Sequence, residues 1–326
     1  MLLLLSSLVG GWLWRDVAAF LETPLAVPAE GVVFDVEAGV SIQGIAERLA
    51  QQGLIQQSYY LIGLARFSGL ARRIKAGEYR VKPGTNPRAF LELLASGKVV
   101  QYALTLVEGW NIWQVLAAVA AHPKLAHTLA TRSANDLMTD LGAPCEHPEG
   151  RFLPDTYHFP NGTTDVAFLR RAYLGMEAYL PQSWAQRAAR LPLASSYEAL
   201  ILASIVERET ALPGERPQVA GVFLRRLRLG MRLQSDPTVT YGITPPPGRP
   251  ISHQDLARES PYNTYLNEGL PPTPIANPSR SALQAVLHPA EGSTLYFVAK
   301  GDGSHYFSET LAEHNRAIRR YFPERH

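Results

Sequence analysis

Two carboxylates, Glu207 and Glu209, close the run Leu200-Ile201-Leu202-Ala203-Ser204-Ile205-Val206. A carboxyl at the end of an apolar run is a candidate general acid, because desolvation raises its pKa and holds a proton near neutral pH. Upstream, Ser195-Ser196-Tyr197-Glu198 has the S-x-x-E spacing of a capping box. That spacing predicts a helix starting there, and Pro213 is expected to stop it. A helix apolar around most of its circumference belongs inside its domain. Successive residues turn by about 100°, so positions two apart point in nearly opposite directions and only one glutamate faces a given cleft. Glu207 lies over Ala203 and Ser204, with Thr210 and Ala211 one turn on, a small and partly polar face with room for a ligand. Glu209 lies over Leu202, Ile205 and Val206. The spacing therefore nominates Glu207 as the acid and Glu209 as a structural carboxylate, with Arg216 or Arg225 as its partner. A second reading, two solvated charges at a helix end, stays open on spacing alone.

Other groups fit a site that binds a polar ligand. In Glu149-Gly150-Arg151-Phe152-Leu153-Pro154-Asp155-Thr156-Tyr157, the glycine and proline are turn residues. Asp155 offers an acceptor and Tyr157 a ring, although Asp155 can equally cap Thr156. From Gln234 to Pro278 the sequence loses long apolar runs and fills with Pro, Asn, Gly, Tyr and Thr. A long aperiodic stretch is more often functional than idle. Asp236, Tyr241, Asn263, Tyr265 and Asn277 supply a carboxylate, hydroxyls, amides and rings that can bind a polar ligand, with Ser204 beside them on the face of Glu207. Asn and Pro are also ordinary loop formers. Arg225, Arg226, Arg228 and Arg232 read as the solvated face of an amphipathic helix or as cations for an anionic substrate. Cys145, His147 and Glu149 lack paired ligand spacing, so no metal site and no cofactor are expected.

The 326 residues carry 46% hydrophobic and 18% charged side chains with a net charge of +2. That balance supports packed cores and argues against a nucleic-acid binder. A single cysteine excludes an intramolecular disulfide. Met1 to Trp14 is apolar and followed by Arg15 and Asp16; Trp12 and Trp14 are placed like interfacial aromatics, and no small-x-small cleavage site follows directly. Residues 1–21 are therefore expected to be a membrane anchor and 22–31 a stalk. No basic residue precedes Leu2, so the natural start is expected upstream.

The fold class expected is α+β, a small α+β subdomain at 32–98 followed by a mixed α/β domain at 99–326. In the first, Val32–Val36 and Gly77–Val81 read as strands, with helices capped by Ser41 and opened by Asn86-Pro87. In the second, helices are expected over Ile112–Ala121, Val166–Leu180, Glu198–Ala211, Glu215–Leu229 and Leu283–Leu287. A hairpin turning at Gly301-Asp302-Gly303 follows, and Ser308 is expected to cap the final helix through Tyr321. This hairpin and helix read as scaffold.

The segment Leu202–Thr210 resembles the signature of the endolytic murein transglycosylases of the YceG-like family. Further stretches match in order: Glu149–Tyr157, Ser235–Gly242, Ser260–Tyr265, Glu268–Pro272, Ile275–Pro278, and Tyr296–Ala299 through Gly301-Asp302-Gly303. The resemblance implies a membrane-anchored enzyme of the cell inner membrane with its catalytic part in the periplasm. It also implies a LysM-like subdomain at 32–98, peptidoglycan glycan strands as substrate, peptidoglycan synthases as partners, and Glu207 as the catalytic glutamate. The LysM-like pattern is also that of a generic spacer. A lytic transglycosylase manages with a single acid/base residue, because the attacking group is the C6 hydroxyl of the same muramyl sugar. A hydrolase needs a second carboxylate, for which Asp155 or Asp236 are the candidates. A non-catalytic glycan-binding scaffold is the third reading.

Overall fold

The computed structural model describes residues 14–129, 133–243 and 251–323. They form a mixture of helices and short strands in two compact units: Met1–Tyr102 with His158–Gly162, and Ala103–Tyr157 with Thr163–His326. In the first unit, residues 14–22 are helical (α1). Strand β1 (Val32–Val36) is followed by α2 (Ile42–Gln51), α3 (Ser58–Phe67), β2 (Gly77–Val81) and α4 (Pro87–Ser96). The two strands pair antiparallel, Val32 opposite Val81 and Val36 opposite Gly77. Local chemistry starts each helix: Ser41 Oγ accepts from the Gly44 N–H, and Asn86 Oδ1 accepts from the Ala89 N–H with Pro87 in the first turn. Alternation along the strands sends Phe34, Val36, Tyr79 and Val81 into a core with Ile45, Leu49, Leu61, Phe90 and Leu94. Each such large apolar side chain contributes about 1.5–3 kcal/mol on burial.

Among the described residues no helix is long and apolar enough to cross a membrane. The apolar run from Met1 to Leu13, most of the expected anchor, lies outside them.

The chain continues through β3 (Gln101–Thr105), α5 (Ile112–Ala121), β4 (Leu125–Ala126), α6 (Ala134–Leu141), β5 (Thr156–Pro160), β6 (Thr163–Thr164) and α7 (Asp165–Ala185). Helices α8 (Ser196–Glu209), α9 (Arg216–Arg228), α10 (Asp236–Tyr241), α11 (His253–Leu256) and α12 (Arg280–Leu287) follow. The hairpin β7 (Tyr296–Ala299) and β8 (His305–Ser308) and the last helix α13 (Leu311–Tyr321) complete it. Strand β3 pairs with β5, β4 with β6, and β7 with β8.

Helix α8 is the axis of the second unit. Every residue from Ala199 to Val206 is buried, against α7, α9 and α12. Ser195 caps it as expected, but the Glu198 carboxylate reaches back to the N–H of Ala194. Helix α13 is capped by Thr310, not Ser308, because the Ser308 residue is the last of β8 and Thr310 completes a reciprocal capping box with Glu313. Ser235 precedes α10 and Asp236 opens it, with Pro237 in the first turn. Arg225 and Arg226 are not on a solvated face. Arg226 is buried and donates to the carbonyls of Leu295, Arg232 and Leu233, and Arg225 donates to those of Thr294 and Ala290. Arg225 clamps the segment before the hairpin, and Arg226 ties that segment to the one before α10.

Candidate functional site

Glu209 ends α8, and its carboxyl opens into a cleft of about 560 Å³. The cleft is also lined by Gln234, Asp236 and Tyr265, and by residues of β7, β8 and α13. The Ser235 hydroxyl donates to Glu209 Oε1. Burial is the largest influence on this carboxyl and pushes it up to about 7, with the nearby Asp236 charge adding to the rise; the Ser235 hydrogen bond and Arg226 pull the other way. The helix C-terminus, where the macrodipole is negative, also disfavours the charged form. Asp236 Oδ1 accepts from the Tyr265 hydroxyl at 2.6 Å, which burial and that bond keep protonated well above the ordinary tyrosine range. Of the residues nominated from the sequence as ligand contacts, the structure brings Asp236, Tyr265 and Arg226 to this cleft.

Glu207 is not a free acid. Arg216 Nη2 lies 2.8 Å from its Oε1, and the two side chains are 5% and 7% exposed. The N–H of Ser279 donates to Oε2 at 2.8 Å, and the Ser279 hydroxyl at 2.5 Å. Its two oxygens are thus taken up by three donors of the fold, which leaves neither turned to a ligand. The small face that read as room for a ligand is filled by backbone: Ser204, fully buried, accepts from the N–H of Ile275 at 2.9 Å. Small residues there let the Ile275–Ser279 segment approach α8. Arg216 thus belongs to Glu207, where the sequence offered it to Glu209.

The remaining nominees hold loops together. Asn277, 1% exposed, donates through Nδ2 to the Trp110 carbonyl and accepts at Oδ1 from the Phe152 N–H. Asn263 donates to the carbonyls of Leu256 and Arg258 and accepts from the Tyr265 N–H, fixing the backbone that presents Tyr265 to the cleft. Asp155 caps the Thr156 N–H and sits 3.6 Å from Arg280. Tyr157 donates to the Leu153 carbonyl at 2.7 Å and packs edge-on against Phe168. Tyr241 donates to Glu149 Oε2 at 3.0 Å. Glu149 itself, fully buried, accepts from the Ile112 N–H at the start of α5, and burial pushes its carboxyl up to about 7. Asn277→Ala is expected to lower unfolding free energy by about 1–3 kcal/mol, because it orphans the Phe152 N–H; urea unfolding measures this.

Sequence reasoning named neither Tyr296, His305 nor His314 as a site residue, although all three line the Glu209 cleft. The signal available for them was the placement of Tyr296 within a matched stretch.

The model of the YceG-like family matches residues 34–320. The chain is 30% identical over 307 residues to an endolytic murein transglycosylase of Bacillus subtilis, covering 89% of this chain and 84% of that protein. It is 26% identical over 329 residues to an endolytic murein transglycosylase of Streptococcus pneumoniae strain D39, covering 88% of this chain but 58% of that protein. The fold is similar to the 2.6 Å crystal structure of a YceG-like protein from Listeria monocytogenes, with a TM-score of 0.55 at 29% identity, covering 89% of this chain and 99% of that one.

Proposed function

Because the chain belongs to the YceG-like family, we propose that it is an endolytic murein transglycosylase and that its proton-transferring residue is Glu209. The observation that carries the assignment is a cleft-facing carboxyl that burial raises to about 7, where it can both give and take a proton near neutral pH. Glu209 gives its proton to the oxygen linking C1 of N-acetylmuramic acid to C4 of N-acetylglucosamine, and the C1–O bond breaks. The resulting carboxylate takes the proton of the muramyl C6 hydroxyl as that oxygen closes on C1. The products are a 1,6-anhydromuramyl end and a free C4 hydroxyl, with no water consumed. Asp236, oriented by Tyr265, is placed to stabilise positive charge developing on the sugar ring.

The finer features of the reading go with it. Residues 1–21 anchor the chain in the inner membrane, residues 32–98 are a LysM-like subdomain, the catalytic unit faces the periplasm, and peptidoglycan synthases feed it nascent strands. The proximity of Asp236 to Glu209 favours one rival, a hydrolase with Asp236 as second carboxylate. Mass spectrometry of glycan ends after digestion of uncrosslinked strands separates the two: anhydro ends are expected, and ordinary reducing ends would establish hydrolysis.

Activity is expected to fall as pH rises through about 7, as Glu209 loses its proton. Stability has the same sign: a carboxyl raised from 4.5 to about 7 on folding disfavours the fold progressively as pH rises between those values. Initial rates and urea midpoints measured from about pH 5 to about pH 9 check both slopes.

A further inference from the structure

The C-terminal hairpin and α13, which read as scaffold in the sequence, supply most of the wall facing Glu209. Within that wall one atom has no account in the fold. His314 Nδ1 is buried and has no hydrogen-bond partner among the described residues. A buried polar nitrogen left unpaired destabilises the fold, and a helix surface position tolerates many residues without that cost. The ring is nevertheless held in place. It stacks on Tyr296, centroids 5.3 Å apart and planes 27° apart, while the Arg226 guanidinium covers the same tyrosine ring at 5.1 Å. Arg226 is in turn locked by backbone carbonyls, so the stack is a rigid post beside the acid.

The charge state narrows the ligand. Burial and the Arg226 charge both lower the affinity of His314 for a second proton, so the imidazole is neutral at neutral pH. A neutral imidazole is a hydrogen-bonding group without charge, suited to a hydroxyl or amide and not to a carboxylate. Apolar neighbours Phe297, Leu311 and Ile318 line the same wall and suit the CH face of a pyranose.

We propose that His314, positioned by Tyr296, is a specificity-determining contact of the Glu209 cleft that hydrogen-bonds an uncharged hydroxyl or N-acetyl group of the substrate sugar. The inference rests on the cleft being the glycan site proposed above. Its role is recognition, with no proton moved in the reaction.

The test uses His314→Ala and His314→Gln in the full chain, with two readouts. Binding of reduced N-acetylglucosaminyl-N-acetylmuramyl oligosaccharides is measured calorimetrically, and steady-state turnover on uncrosslinked glycan strands gives kcat and KM. For His314→Ala, Kd and KM are expected to rise about tenfold, the equivalent of about 1.4 kcal/mol, with kcat within about threefold of wild type. The melting temperature should stay level or rise, since the orphaned nitrogen is gone, and His314→Gln should recover part of the affinity. Unchanged Kd and KM in both variants would overturn the proposal, as would a loss of melting temperature that accounts for the lost binding. If the wild type binds the oligosaccharide but makes no anhydro ends, the transglycosylase reading fails while the binding arm still decides on His314.

Discussion

Glu209→Gln is expected to lose about 10²- to 10⁴-fold in kcat while still binding glycan strands, since the amide keeps the shape of the acid but cannot deliver a proton. The result follows from where α8 ends. Seven buried residues from Leu200 to Val206 fix the helix in the core, and its last residue projects the carboxyl into the cleft. The same burial that raises this group to about 7 makes its ionised form a burden on the fold. At pH 8 the Gln variant is therefore expected to be at least as stable as the parent, whereas at pH 5, where the parent carboxyl is protonated, the two should converge. Circular-dichroism melts at both pH values, beside quantified anhydro muropeptides, read the two effects separately. Wild-type rates of anhydro product from the Gln protein would remove Glu209 from the chemistry.

Glu207→Ala has the opposite signature. Removing one partner of a buried ion pair leaves the other charge uncompensated, and such changes cost about 3–5 kcal/mol. Here the abandoned groups are Arg216, with its side chain 7% exposed, and the N–H and hydroxyl of Ser279. The urea midpoint should fall steeply, and what remains folded should turn over at a rate far closer to wild type than Glu209→Gln. A double substitution with Arg216→Met tests the cause: removing both charges should recover part of the loss, because the larger share of the penalty is the unpaired guanidinium. If Glu207→Ala folds normally and is inactive while Glu209→Gln turns over, the two roles assigned here are reversed.

The elements were legible where local physics decides them. Ser41, Asn86 and Ser195 each accept from the backbone N–H three residues on, so the starts of α2, α4 and α8 follow from side-chain chemistry within one turn. Gly301 and Gly303, both at positive φ, turn the hairpin between β7 and β8. The cap of α13 was misplaced by two residues because Ser308 and Thr310 are chemically alike, and only the pairing of Ser308 with Tyr296 takes the former into a strand.

Sequence alone determined that a carboxylate pair closes a buried helix, and the helical period required that the two do different work. Which does which was decided by segments distant in sequence. Ser204 and Glu207 lie on the small face of α8, and smallness there admits the Ile275–Ser279 backbone and Arg216 where a ligand seemed to fit. Glu209 lies over bulky apolar residues, yet it ends the helix, and the walls that desolvate it come from α9, α10 and the C-terminal hairpin and helix. A helical period reports which side chains share a face. It carries no information on what covers that face, because packing partners are chosen by the three-dimensional closure of the chain, and the free energy of a carboxyl is set by those partners.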